Sequence, residues 1–168
     1  MGHETFTLIA TSVAALASIF YIPKDKYRLA LLSVVTSQAI TWAASLVMIE
    51  LGLYSFPVRE FPHATQSSFL HLFVFYPAVF TWFILLFPTG ASLFKRAAHY
   101  LIFISAIVWF EYYMAVYTKL KEFYIYPMSL QIAGLYIRFV VYFYACRRYI
   151  TWMVKKTPLI VSGTKAPE

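Results

Sequence analysis

The chain has 168 residues, of which 61% are hydrophobic and 12% charged, against roughly 45–50% and 25% in soluble domains. With no sizeable polar stretch left over, that composition excludes a separate soluble domain. The net charge of +7 does not point to nucleic acid, because the basic residues flank apolar runs and form no continuous stripe.

Five apolar runs, at 5–22, 29–53, 67–87, 97–117 and 128–148, each approach the ~20 residues needed to cross a bilayer core. They predict an all-α, polytopic bundle of five transmembrane helices, one domain over 1–155, followed by a disordered tail at 156–168. Flanking charge sets the orientation. Ten basic residues (Lys24, Lys26, Arg28, Lys95, Arg96, Arg147, Arg148, Lys155, Lys156 and Lys165) fall on one side, and Arg59, Lys119 and Lys121 on the other. The positive-inside rule then places the N-terminus outside and the C-terminus in the cytoplasm.

Span one resembles a signal region, with small residues at Ala14, Ala15 and Ala17, but Gly2-His3-Glu4 is no basic leader; it reads as a retained span. Its Ala10, Ala14 and Ser18 recur every four residues, as do Ser33, Ser37, Thr41 and Ser45 in span two. Such small faces allow close helix approach. With only a short connection at 23–28, they predict an antiparallel hairpin of spans one and two, the alternative being a dimer face.

The string from Glu50 to Phe69 follows, with Phe56-Pro57 and Phe61-Pro62 bracketing Val58-Arg59-Glu60. A proline drives the residue before it toward extended geometry, so an ordered, non-helical outer loop is expected. Arg59 or Glu60 should make a salt bridge or hydrogen bond to a span terminus, with Glu50 as the first partner for Arg59 and Thr65 as an N-cap for span three.

Span three carries Pro77 near its middle, which denies the carbonyl of Phe73 its helical donor and should kink the helix. Either that carbonyl lines a polar cavity or neighbours satisfy it. Within spans four and five, Glu111 lies ~9 Å and Arg138 ~15 Å from the outer ends, from the helical rise. Ionisable groups at such depth face the bundle interior. The spans run in opposite directions and side chains lean toward their own N-termini, so Glu111 and Arg138 are expected to meet. Gln131, Gly134, Arg138, Tyr142 and Ala145 form a small and polar stripe expected to point inward. With Glu50 and His71 these groups make an intramembrane polar cluster (Glu50, His71, Glu111, Gln131, Arg138). The outer loop adds Arg59, Glu60 and His63.

Named chemistries find little footing. No Lys lies inside a span, His71 and His99 fall at opposite faces, and the lone Cys146 reads as a packed thiol. No catalytic residue, metal or cofactor is assigned. His63 with Glu50, Glu60 and His71 has no specific ligand spacing.

The segment Glu50-Leu51-Gly52, Pro57-Val58-Arg59-Glu60 and Ala64-Thr65 resembles a family of small multi-pass membrane proteins of endospore-forming Firmicutes. The resemblance extends loosely to 23–26, Ser92-Leu93-Phe94-Lys95 and Arg147-Arg148 with Trp152. It implies a bacterial cytoplasmic or spore membrane protein and supplies no catalytic residues. The function expected is a non-enzymatic structural or accessory membrane component, with the lipid bilayer and a homo-oligomer or membrane-protein partner. A small permease or ion-conducting protein using the outer cluster is the alternative. A lipid-headgroup-binding or lipid-modifying protein acting at Arg59, Glu60 and Lys119 is a further one.

Overall fold

A computed structural model describes residues 3–61, 63, 67–124 and 127–157. The order is α1 (His3–Ile19), a 3-10 turn (Lys24–Lys26), α2 (Tyr27–Glu50), β1 (Tyr54–Ser55), a π turn (His71–Phe75) leading into α3 (Tyr76–Leu85), α4 (Leu93–Tyr117), β2 (Glu122–Phe123) and α5 (Met128–Lys156). Three helices are long and apolar enough to cross a membrane: Lys24–Glu50, Leu93–Tyr117 and Met128–Lys156. The other two, His3–Ile19 and His71–Leu85, are apolar but shorter. Leu101, Ile102, Trp109, Ile137 and Val141 are all exposed, the surface expected where the surroundings are lipid.

Each boundary has a local cause. Gly52, at φ +66°, ends α2: the Leu53 amide reaches the Met48 carbonyl and the Gly52 amide that of Ile49, a Schellman closure. Ser92 caps α4 through the Lys95 amide, so α4 starts at Leu93, a turn before the predicted span. Helix α5 continues past Arg148 to Lys156 because Ile150 and Val154 keep a face on the core. The tail expected from 156 therefore lies, beyond 157, outside the described residues, as does the cap expected at Thr65.

The core is aromatic. Phe80, Phe83 and Phe143 are fully buried, and the Phe83 ring lies 4.6 Å from Phe143, 4.9 Å from Tyr100 and 5.0 Å from His99. Cys146 is buried among them.

Two packing expectations are corrected. Helix α1 buries Leu8, Ser12 and Ala15, leaving Ala10 and Ala14 exposed, and packs mainly against the π turn and α3. Trp82 Nε1 donates to Ser18 Oγ at 3.0 Å. The hydroxyl face of α2 turns to α5, where Tyr142 Oη bonds Ser37 Oγ at 2.6 Å and accepts from Thr41 Oγ1 at 3.0 Å. No small-faced hairpin of α1 and α2 forms, because tyrosine and tryptophan supply the hydrogen-bond partners that those hydroxyls would otherwise seek from each other. Likewise α5 points Leu135, Phe139, Phe143 and Cys146 inward, while Gly134 and Ala145 are exposed. Filling the bundle takes bulky rings, so of the small and polar stripe Gln131 is buried and Arg138 and Tyr142 are half-buried, while its small residues sit outside.

At Pro77 the chain opens one π turn, with the Tyr76 amide bonded to the His71 carbonyl. The proline ring cannot approach the carbonyl four residues back, and a wider turn relieves that clash. From α2, Gln38 Nε2 donates to the Phe73 carbonyl at 3.1 Å, supplying the bond that proline withholds. Gln38→Leu should therefore cost about 1–2 kcal/mol in a detergent unfolding assay. In a Pro77→Ala background, where the backbone can supply its own donor, the same substitution should cost much less.

Candidate functional site

The polar groups gather at the end of the bundle where β1 and β2 pair antiparallel, Tyr54 opposite Phe123 and Ser55 opposite Glu122. The Tyr124 amide adds a bond to the Leu53 carbonyl at 3.2 Å. Two connections that sequence alone treats as separate loops are thus tied together. Tyr54, Phe56 and Phe123 turn inward from this ribbon and belong to the core. The connection after α2 is non-helical over its described residues through 61, as Pro57 leads one to expect.

Beneath the ribbon lies a buried ion pair. Glu111 on α4 is 0% exposed and Lys121, just before β2, is 2% exposed; Lys121 Nζ donates to Glu111 Oε2. The same ammonium lies 4.0 Å from the centre of the Tyr54 ring, with Phe56 and Phe123 each at 5.2 Å. Three ring faces and one carboxylate thus replace its water. Burial still outweighs the carboxylate: it holds the Lys121 pKa down at about 8. Burial also pushes the Tyr54 phenol up, partly offset by its hydrogen bond to Ser45 and by nearby Arg138. Tyr54 Oη donates to Ser45 Oγ at 3.0 Å.

Arg138 is not the partner of Glu111. Its guanidinium carbon sits 5.5 Å from the Tyr54 ring centre and 5.4 Å from that of Phe139. Depth and lean were suitable for a meeting, but Lys121 reaches back from beyond the end of α4 and takes the carboxylate. Arg138 and Lys121 instead border a cavity of about 60 Å³, with Thr41, Ser45 and Tyr142 among its walls.

The remaining expected residues are scattered. His71 is buried, with Nδ1 3.1 Å from Ser68 Oγ and its ring against Phe110 and Phe56. Gln131 is buried in the first turn of α5. Glu50 is exposed at the end of α2, outside the cluster, because α2 turns its hydroxyl face rather than this carboxylate inward. Arg59 Nη1 donates to the Phe56 carbonyl at 2.9 Å, a backbone contact where Glu50 was expected. Glu60 accepts from Ser68 Oγ and from the Phe69 and Leu70 amides at 3.0, 2.9 and 3.2 Å. It therefore caps the helical segment that leads into α3, where a negative group also meets the positive end of the helix dipole. His63 is exposed. Among the described residues no three His, Cys, Asp or Glu side chains form a metal-holding group.

Lys121 is the residue that sequence reasoning missed. It reads as an ordinary loop lysine two positions from Lys119, which is exposed; only strand pairing decides which of the two is carried inward.

Compared with protein-family models, curated proteins and solved structures, the chain matches none.

Proposed function

We propose that this is a five-span membrane protein with the β1–β2 end outside and the basic end cytoplasmic, serving as a non-enzymatic structural or accessory component of a bacterial cytoplasmic or spore membrane. The observation that carries the reading is the Glu111–Lys121 pair sealed under Tyr54, Phe56 and Phe123. The strongest charges of the outer half are engaged within the fold, and toward the basic end the interior is filled by Phe80, Phe83 and Phe143. An arrangement of this kind holds outer connections rigidly, as a surface for a second copy or a membrane-protein partner requires. The resemblance to small Firmicutes membrane proteins is consistent with it.

A small permease is the second reading, favoured by the cavity that Lys121 and Arg138 share with Thr41, Ser45 and Tyr142. The headgroup reading at Arg59, Glu60 and Lys119 is weaker, since Glu60 already caps a helix. Chloride flux into proteoliposomes separates the first two, tested together with the size of the protein extracted from native membranes. The accessory reading expects no flux above empty vesicles and a particle larger than the monomer. Flux abolished by Arg138→Gln would transfer the assignment to the permease.

A further inference from the structure

The hairpin that α1 and α2 do not form leaves a cleft between them. Its volume is about 320 Å³, roughly twice that of an apolar cavity that admits benzene and within the range of ligand pockets. Ala15 and Ile22 of the α1 side, Ala30 and Val34 of α2, and Pro77 and Thr81 of α3 line it. Leu16, Ile19 and Leu31, also on its walls, are exposed, so the cleft opens sideways on the surface that faces lipid.

Two independent features indicate what fills it. The Thr81 hydroxyl on its floor is 2% exposed and makes no hydrogen bond. A threonine in a helix ordinarily spends that proton on a carbonyl of the preceding turn. Thr81 is four residues from the end of α3, or ~6 Å at the helical rise, the depth at which a lipid's ester carbonyls lie below its phosphate. At the same end, the connection from α1 to α2 carries Lys24, Lys26 and the exposed Arg28 against a single acid, Asp25. Clustered Lys and Arg next to a span attract anionic headgroups.

We propose that this cleft is a binding site for one anionic glycerophospholipid: an acyl chain lies between α1 and α2, an ester carbonyl accepts from Thr81 Oγ1, and the phosphate sits at Lys24 and Lys26. The assignment rests on the membrane-spanning reading but not on the accessory role.

Trp82 lines the cleft and reports on it. The variant W42F/W109F/W152F replaces three exposed tryptophans and leaves Trp82 as the sole emitter. It would be reconstituted in phosphatidylcholine vesicles containing a minor fraction of chain-brominated phosphatidylglycerol or, in parallel, chain-brominated phosphatidylcholine. Quenching should be half-complete at a much lower fraction of the anionic lipid. Lys24→Gln should raise that fraction about fivefold, the worth of one basic residue near a membrane surface. Ala78→Phe, which fills the cleft, should abolish the preference. Thr81→Val, which keeps the volume but removes the donor, should raise the fraction at half-quenching for both lipids, since both carry ester carbonyls, and serves where the larger substitution prevents folding. Equal quenching by the two lipids, a preference untouched by Lys24→Gln, or half-quenching fractions untouched by Thr81→Val, would overturn the site while leaving the membrane reading intact. Failure of the protein to float with the vesicles would overturn both.

Discussion

Glu111→Leu alone should destabilise the protein by about 3–5 kcal/mol, the range for removing one member of a buried ion pair. Lys121 would then lie against Tyr54, Phe56 and Phe123 with no counter-ion, either charged and unpaired or forced to give up its proton, since Arg138 nearby only repels it. Lys121→Met should be comparably damaging, as Glu111 lies fully buried. The double substitution should recover most of the loss, because two apolar side chains need no mutual compensation. Additive damage in that cycle would mean that the two residues act separately. The pair also predicts a pH dependence. The folded lysine gives up its proton near pH 8, whereas an exposed one holds it to about 10.5. Between those values the unfolded chain binds more protons, so this group makes stability rise with pH. The raised Tyr54 phenol acts in the opposite sense above its ordinary 10.0, so the window to measure is pH 8 to 10. The rise there should vanish in Lys121→Met.

Phe83→Ala should cost about 2–4 kcal/mol, below the full range for phenylalanine truncation in water-soluble cores. A lipid-solvated reference removes much of the transfer contribution and leaves the packing loss. That loss is large here because Phe83 is fully buried, with ring contacts to Phe80, Phe87, His99, Tyr100, Phe103 and Phe143. Its carbonyl also bonds the His99 Nε2 at 3.0 Å. Phe83→Leu, which keeps most of the volume, should cost well under half as much in the same unfolding assay. Equal costs for the two would mean that the ring cluster carries little of the stability.

Helix existence was legible in the sequence because apolar runs of the right length have few other outcomes. The consequence of Pro77 was legible too, at the level of a missing hydrogen bond. Its resolution was not, since Gln38 lies 39 positions away and only the pairing of α2 with the π turn and α3 brings it there. The packing of α1 escaped for a related reason. Four-residue spacing identifies a small face but not which neighbour it meets, and Tyr142 and Trp82 outcompeted the expected partner. At the polar end, depth and side-chain lean placed Glu111 correctly in the interior. They could not choose between Arg138 and Lys121, because the position of Lys121 depends on the strand pairing of residues far apart in the chain.

In the proposed orientation the chain crosses the bilayer so that the β1–β2 ribbon and the basic connections lie on opposite sides. Single cysteines at Lys119 and Thr89, both exposed, placed in a Cys146→Ala background and probed on intact cells with an impermeant maleimide, test this directly. Position 119 should react from outside, and position 89 only after the membrane is opened. Labelling of both positions from outside, or of position 89 alone, would contradict it.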